Sequence, residues 1–140
     1  MPQEVVLEET FRVPARVLYS TFLDSQLMTR VALGAAAHVE PRVGGKFYLF
    51  NKSVVGEVTG LEPNKEIREK WRFAEWDAYS DVVISLSEED AETTRVTIHH
   101  TKIPSKDKYG NGDCDVRVRE GWKDHIFDRL VKVLGYPRVQ

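Results

Sequence analysis

The C-terminal part of the sequence contains one long run of apolar residues at helical spacing. Between positions 116 and 134 they recur every three or four residues: Val118, Trp122, Ile126, Leu130 and Val133. This spacing predicts a single long amphipathic helix with one apolar face. Gly135 follows directly and is typical of a helix end. The rest of the chain therefore has to supply a surface that covers the apolar face of this helix.

Period-two alternation of polar and apolar residues predicts six β-strands before the helix. Residues 4–13 form the first strand, with the odd positions facing the core. Five more strands follow at the spacing of hairpins, which indicates an antiparallel meander. They are predicted at residues 46–50, 54–61, 66–73, 79–87 and 93–102.

Two short helices are predicted between the first and second strands. Pro14 suits the first turn of a helix that continues to about Leu23. Asp24 or Ser25 is a suitable cap for a second helix, which ends at Gly34. Residues 35–45 are predicted as a loop with a tight turn, and residues 103–115 as an exposed loop and the most mobile region. The apolar residues that indicate the two helices are Val17, Leu18 and Phe22, then Leu27, Met28 and Val31.

These elements predict an α+β domain. An antiparallel sheet must cover its apolar face, and the long helix is the only predicted element with enough apolar surface to do so. We therefore predict a helix-grip fold, in which a curved, antiparallel, six-stranded sheet wraps around the long C-terminal helix and two short helices lie between strands 1 and 2. A cavity, open or closed, can remain where sheet and helix separate.

Composition narrows the class of protein. The chain has 140 residues, of which 41% are hydrophobic and 30% charged, which is typical of one globular domain over residues 1–140. A net charge of -2 argues against nucleic acid or an anionic membrane as a partner. Cys114 is the only cysteine, which excludes an internal disulfide. Without a secretory signal or an apolar segment of about 20 residues, we expect a soluble, cytoplasmic monomer.

The predicted strand at residues 66–73 carries a basic row on its outer face, formed by Arg68, Lys70 and Arg72. The row is either a solvated sheet surface or a docking stripe for an acidic protein surface. Trp76, in the short connection after this strand, is either an exposed recognition tip or folds back over the hairpin. We take these four residues as candidate partner-binding residues.

The inner faces of the strands and the helix supply candidate cavity-lining residues. Glu69 faces the apolar side, where a carboxylate needs a partner or water; it either lies at a rim or pair position or anchors a polar ligand. His100 is either a core residue with satisfied hydrogen bonds or a polar group in a pocket. The candidate lining residues are Glu69, Trp71, Phe73, Ile98, His100, Trp122 and Ile126.

Patterns typical of enzyme sites are missing from the sequence. It has no HExxH pattern, no nucleophile elbow and no phosphate-binding glycine loop. His125 follows Asp124, but adjacent residues on a helix point in different directions. We therefore expect no catalytic activity and no metal site.

Several segments resemble one protein family. The sequence is similar to the C-terminal domain of the activators of the heat shock protein 90 ATPase, in the superfamily that includes the major birch pollen allergen and the START lipid-transfer domains. Residues 51–56 differ from the glycine-rich approach to the third strand that is typical of the activators, so a reshaped hairpin is expected there. The matching segments are Lys70-Trp71-Arg72-Phe73, Thr94-Arg95-Val96-Thr97-Ile98, Ile103-Pro104, and Gly121-Trp122 followed by Phe127, Leu130, Gly135 and Tyr136.

The resemblance implies a co-chaperone-like module that docks on the heat shock protein 90 chaperone and modulates its ATPase. In the two-domain activators this domain follows a larger N-terminal domain that contributes much of the stimulation. Relatives in the superfamily bind apolar small molecules between sheet and helix, which leaves binding of a hydrophobic small molecule or lipid as the alternative function. Neither function implies a metal or an organic cofactor.

Overall fold

The computed structural model describes residues 3–139. These residues form seven strands, two short helices and a C-terminal helical region. The strands are β1 (Gln3–Phe11), β2 (His38–Val39), β3 (Lys46–Leu49), β4 (Val54–Glu62), β5 (Glu66–Phe73), β6 (Ser80–Asp90) and β7 (Thr93–Ile103). The helices are α1 (Ala15–Phe22), α2 (Ser25–Val31), α3 (Cys114–Glu120), a π-helical segment (Gly121–Phe127) and α4 (Asp128–Lys132).

All strands belong to one curved antiparallel sheet, in the order β1-β7-β6-β5-β4-β3-β2. The predicted α+β class is confirmed, whereas the prediction of six strands is wrong. The additional strand is β2, which lies in the stretch predicted as a loop and pairs with β3 through His38 and Val39. Two residues are too few to show an alternation, so the pattern in the sequence did not indicate this strand.

The two short helices lie between β1 and β2. This agrees with the prediction of two helices before the strand at residues 46–50, which is β3 in the structure. The cap of α2 is Asp24, whose carboxylate accepts a hydrogen bond of 2.9 Å from the backbone N–H of Leu27. This bond satisfies one of the N–H groups left without a partner in the first turn of a helix. The alternative cap, Ser25, instead bonds the backbone of Val39 and so ties α2 to β2.

The C-terminal helical region begins at Cys114, so the loop predicted at residues 103–115 ends two residues earlier than expected. Its middle is π-helical over Gly121–Phe127, which the sequence did not indicate. The predicted stop at Gly135 is confirmed, because its φ of 73° is the left-handed conformation that glycine adopts easily. The N–H of Gly135 donates to the carbonyl of Val131 at 3.1 Å, which is the hydrogen bond of an αL helix ending, and the N–H of Tyr136 donates to the carbonyl of Leu130 at 3.1 Å.

The hydrophobic core lies between the inner face of the sheet and the C-terminal helical region. Phe11 of β1 and Phe127 of the π-helical segment make an edge-to-face contact with ring centroids 6.0 Å apart. Four members of the predicted apolar stripe are buried in this core, Val118, Trp122, Ile126 and Leu130, whereas the fifth, Val133, is half-buried. The sheet is thus the surface that covers the apolar face of the helix.

Gly56 in β4 permits one close approach within the sheet. A Cβ atom at this position would lie 2.1 Å from the carbonyl oxygen of Lys70 and 2.5 Å from the ring of Phe47. Both distances are shorter than a van der Waals contact, so only glycine fits. The Phe47 ring can therefore pack directly on the β4 backbone.

Candidate binding cleft and sheet surface

A cleft of about 420 Å³ lies between the sheet and the C-terminal helical region. Strands β3 to β5 and the β3–β4 turn form one wall, and α3 and the π-helical segment form most of the other. The sheet side is lined by Leu49, Phe50, Ser53, Val54, Trp71 and Phe73. The helix side is lined by Arg117, Val118, Glu120, Gly121, Trp122, His125, Ile126 and Arg129. We call this set of residues the cleft.

The cleft has an apolar floor and a polar rim. Six lining residues are buried and apolar: Leu49, Val54, Trp71, Val118, Trp122 and Ile126. Ser53, Glu120 and His125 are exposed at the rim, and Arg117 and Arg129 are half-buried. An apolar floor with a few polar groups at the rim is the usual composition of a site for a small organic molecule.

The β3–β4 turn holds one side of the rim in an unusual backbone conformation. Phe50, Asn51 and Lys52 have consecutive positive φ angles of 53°, 56° and 72°. Two hydrogen bonds tie the turn to Ala36: the Ala36 N–H donates to the Asn51 side chain at 2.7 Å, and the Asn51 N–H donates to the Ala36 carbonyl at 2.9 Å. The turn thereby holds Phe50 against the edge of the His125 ring, with centroids 6.3 Å apart.

Four of the predicted lining residues, Trp71, Phe73, Trp122 and Ile126, line the cleft. Glu69 lines a separate, smaller pocket of about 20 Å³ instead. Ile98 and His100 line neither space, and their placement in a cavity is wrong. They lie on β7, which is separated from β5 by β6, and the core fully covers both of them.

His100 is the centre of a buried polar network that connects the helix to the sheet. The Trp122 Nε1–H donates to Nδ1 of His100 at 3.1 Å, so the other ring nitrogen carries the proton of the neutral imidazole. That nitrogen, Nε2, lies 2.6 Å from Ser80 Oγ and donates to it, and Ser80 Oγ–H donates to the Trp71 carbonyl at 2.5 Å. Burial lowers the pKa of His100 to about 3, which matches a neutral ring. Of the two interpretations, the satisfied core histidine is the one observed.

Glu69 is a buried carboxyl group without a charged partner in the described part of the chain. Its side chain faces Phe22, Met28, Phe47 and Ile84 around the smaller pocket, and only 9% of the residue is exposed. Burial raises the pKa of Glu69 to about 8, because a charged carboxylate is poorly solvated among apolar groups. At neutral pH Glu69 is therefore mainly protonated and can donate a hydrogen bond.

The basic row lies on the outer face of β5 as the alternation predicts, but its three members differ. Arg68 pairs with Glu66 at 2.7 Å. Arg72 is half-buried and donates to the carbonyls of Ala74 and Trp76 at 3.3 and 3.2 Å, so it holds the β5–β6 connection. Lys70 is exposed and has no carboxylate within 4 Å in residues 3–139. Among residues 3–139, Lys70 is the member of this row that neither pairs with a carboxylate nor bonds a backbone carbonyl.

Trp76 does not form an exposed tip, so its prediction as a partner-binding residue is wrong. The residue is 1% exposed and folds back over the hairpin. Its ring packs on Trp71 and Phe73, with centroid distances of 5.6 and 5.2 Å. Burial of a large aromatic ring is favourable by a few kcal/mol, which outweighs the polar character of the connection.

The polar side of the cleft was not predicted, although the sequence contains a signal for it. Arg117, Gly121, His125 and Arg129 follow one another at intervals of four. Each directly precedes a residue of the apolar stripe, so this row lies along one border of the buried helix face. Such a row at the border of an apolar stripe indicates side chains that can reach an adjoining pocket.

Within residues 3–139, no group of three or more His, Cys, Asp or Glu side chains is placed to hold a metal ion. Over the same range no helix is both long and apolar enough to cross a membrane.

A curved antiparallel sheet, a C-terminal helical region packed against it and a cleft between the two define a START-like α+β domain. The family model described as "Activator of Hsp90 ATPase homolog 1-like protein" matches residues 12–135. The chain belongs to this family.

Individual relatives agree with this assignment. Mouse "Activator of 90 kDa heat shock protein ATPase homolog 1" is 29% identical over 135 residues, and yeast (Saccharomyces cerevisiae) "Hsp90 co-chaperone AHA1" is 28% identical over 141 residues. These matches cover 95% and 96% of the chain but only 37% and 38% of the two relatives. A crystal structure described as an HSP90 activator from Plasmodium falciparum superposes with a TM-score of 0.95 at 33% identity, covering 97% of this chain and 99% of that one.

Proposed function

We propose that this chain is a co-chaperone module that binds the 90 kDa heat shock protein and modulates its ATPase. The observation that carries the proposal is the family match over residues 12–135. The relatives named as activators of this ATPase, and the superposed Plasmodium structure, support the same partner. The chain spans less than two fifths of the length of these two relatives. Stimulation of the ATPase by this chain is therefore part of what we propose.

We assign the docking surface to the outer face of the sheet around the basic row. Arg72 is engaged in the β5–β6 connection and Arg68 is paired with Glu66, so their charges are partly satisfied within the domain. Lys70 lies between Glu57 of β4 and Asp81 of β6 in the sheet. Both acidic residues already pair with other lysines, Lys46 and Lys102. Lys70 is therefore the cation on this row that is available to an acidic partner.

Reversing charge on the basic row tests this surface. Lys70→Glu is expected to weaken binding to the chaperone about tenfold or more at low salt, with a smaller effect at high salt, because exposed charges mainly govern association and are screened. Arg16→Glu, a reversal at an exposed position on α1, is the matched control. Equal affinities of Lys70→Glu and wild-type protein at low salt would remove the basic row from the interface.

The cleft favours a second function, binding of a hydrophobic small molecule or lipid between sheet and helix. Its volume of about 420 Å³ and its apolar floor are those of small-molecule sites. Ligand extraction from purified protein followed by mass spectrometry tests this function. A copurified apolar compound that disappears when the cleft is filled by substitution is the expected result.

We further propose that the chain acts by binding and not by catalysis, as a single helix-grip domain that is monomeric and cytoplasmic. The absence of a convergent pair of titratable groups in the cleft supports the first point for the described residues, because His125, Glu120 and Arg129 make no hydrogen bond to one another there. Light scattering of the purified protein at several concentrations tests the monomeric state.

A further inference from the structure

The charges around the cleft are unequally satisfied. Arg117 is held within the domain, with Nη2 3.5 Å from the Asp107 carboxylate and 3.2 Å from the Gly112 carbonyl. Arg129 has no carboxylate within 4 Å in residues 3–139, and its one hydrogen bond is a 3.4 Å contact to the Val31 carbonyl. Arg129 is thus a half-buried guanidinium at the border of an apolar cleft with little to satisfy its charge.

An unsatisfied guanidinium next to apolar surface has a preferred ligand. Arginine binds carboxylate through two parallel N–H···O bonds, and the strength of such bonds increases where water is partly excluded. The acidic group of the rim, Glu120, is exposed and carries a negative charge. The rim therefore provides one uncompensated positive charge, which suits a singly charged head group better than a phosphate with two charges.

We propose that the cleft binds a small amphiphile with a carboxylate, which pairs with Arg129 while the apolar part lies against Trp71 and Trp122. This proposal rests on the second function given above and specifies the chemical class of its ligand. Arg129 is the residue that determines this specificity. The two tryptophans of the floor also provide a signal, because a ligand that displaces water from their rings changes their fluorescence.

Binding of simple probes to the full chain tests the proposal. Decanoate, 1-decanol and decyl phosphate share one alkyl chain and differ in head group, and their affinities are measured by calorimetry and tryptophan fluorescence. We expect decanoate to bind at least about tenfold more tightly than 1-decanol or decyl phosphate. Arg129→Gln should remove this preference and leave 1-decanol binding unchanged within about twofold, whereas Arg129→Lys should keep most of it.

Two further variants control for folding and for the location of the site. Arg119→Gln removes an exposed charge from the same helical region outside the cleft and should not change decanoate binding. Gly121 lines the cleft, and a Cβ atom there meets nothing within 4 Å, so Gly121→Leu fills the cleft without a clash at its backbone. It should abolish binding of all three probes while the melting temperature stays the same or rises.

The outcomes separate this proposal from the function on which it rests. Equal affinities of decanoate and 1-decanol, unaffected by Arg129→Gln but abolished by Gly121→Leu, would overturn the carboxylate assignment and leave an apolar cleft. A preference for decyl phosphate would also overturn it. Failure of all three probes to bind the wild-type protein would overturn both the assignment and the small-molecule function.

Discussion

Burial of Glu69 predicts that the protein loses stability as the pH rises above the acidic range. The pKa of Glu69 rises from an ordinary value of 4.5 to about 8 in the folded protein. Between these two values the folded state holds a proton that the unfolded chain has released. Rising pH therefore favours the unfolded state, and the stability present below pH 4.5 is lost as the pH passes through this window.

The size of the effect follows from the two pKa values. Each pH unit inside the window costs about 1.4 kcal/mol, so the 3.5 units between 4.5 and about 8 amount to about 5 kcal/mol. This is a large part of the ordinary stability of a domain, which is about 5–15 kcal/mol.

His100 produces the opposite slope at lower pH. Its pKa falls from an ordinary 6.5 to about 3, so the folded state resists a proton that the unfolded chain accepts below pH 6.5. Stability contributed by neutral His100 is therefore lost as the pH falls from 6.5 towards 3. The slopes from Glu69 and His100 cancel between pH 4.5 and 6.5, which predicts a plateau of maximal stability there.

Urea denaturation of Glu69→Gln and wild-type protein at several pH values isolates the carboxyl group, because the other titrations are common to both. Gln has nearly the shape of a protonated Glu, so the variant should gain about 1.4 kcal/mol relative to wild type for each pH unit from 4.5 to 8. The control Glu88→Gln, at an exposed position of β6, should differ from wild type by less than about 0.5 kcal/mol throughout. A difference between Glu69→Gln and wild type that does not change with pH would refute the reasoning.

Three other substitutions, one of them with a control variant, test the packing and the loops. Trp122→Phe removes the hydrogen-bond donor to His100 Nδ1 and should lower the free energy of unfolding by about 1–3 kcal/mol in urea denaturation. An unchanged free energy of unfolding would contradict the His100 network. Gly56→Ala should cost about 1–3 kcal/mol through overpacking, whereas Gly112→Ala, whose Cβ would lie 3.9 Å from the nearest atom, should be neutral. The Asp107 carboxylate accepts three hydrogen bonds in the loop after β7. Asp107→Ala should therefore speed amide hydrogen exchange at residues 107–113. Unchanged exchange would contradict the role of Asp107 in holding this loop.

Much of the fold could be predicted because its strands are half-buried. On β5 the alternation places Trp71 inward and Lys70 outward, and the structure agrees, since a strand with one apolar face specifies its own orientation. The apolar stripe predicted the orientation of the C-terminal helical region for the same reason, because one face of this region is buried. β2 and the π-helical segment were missed because two residues carry no period and a π turn changes hydrogen bonding more than it changes the apolar pattern.

The site was harder to predict than the fold. The alternation of residues in the sequence shows which face of the sheet a side chain points to. It does not show which strands lie opposite each part of the helix. His100 and Trp71 both point inward, yet only Trp71 lies opposite the part of the helix where the cleft remains open. Trp76 is buried by contacts with rings on β5, and such contacts are fixed by the tertiary structure and not by the connection itself.

The most direct test of the proposed function is calorimetric titration of the purified chain into the full-length 90 kDa heat shock protein at low salt, with the ATPase rate of the chaperone measured in the same mixtures. Our account predicts saturable binding that weakens as salt is raised, together with a changed ATPase rate. Absence of binding at low salt would contradict the account and leave the cleft as the functional site of the domain.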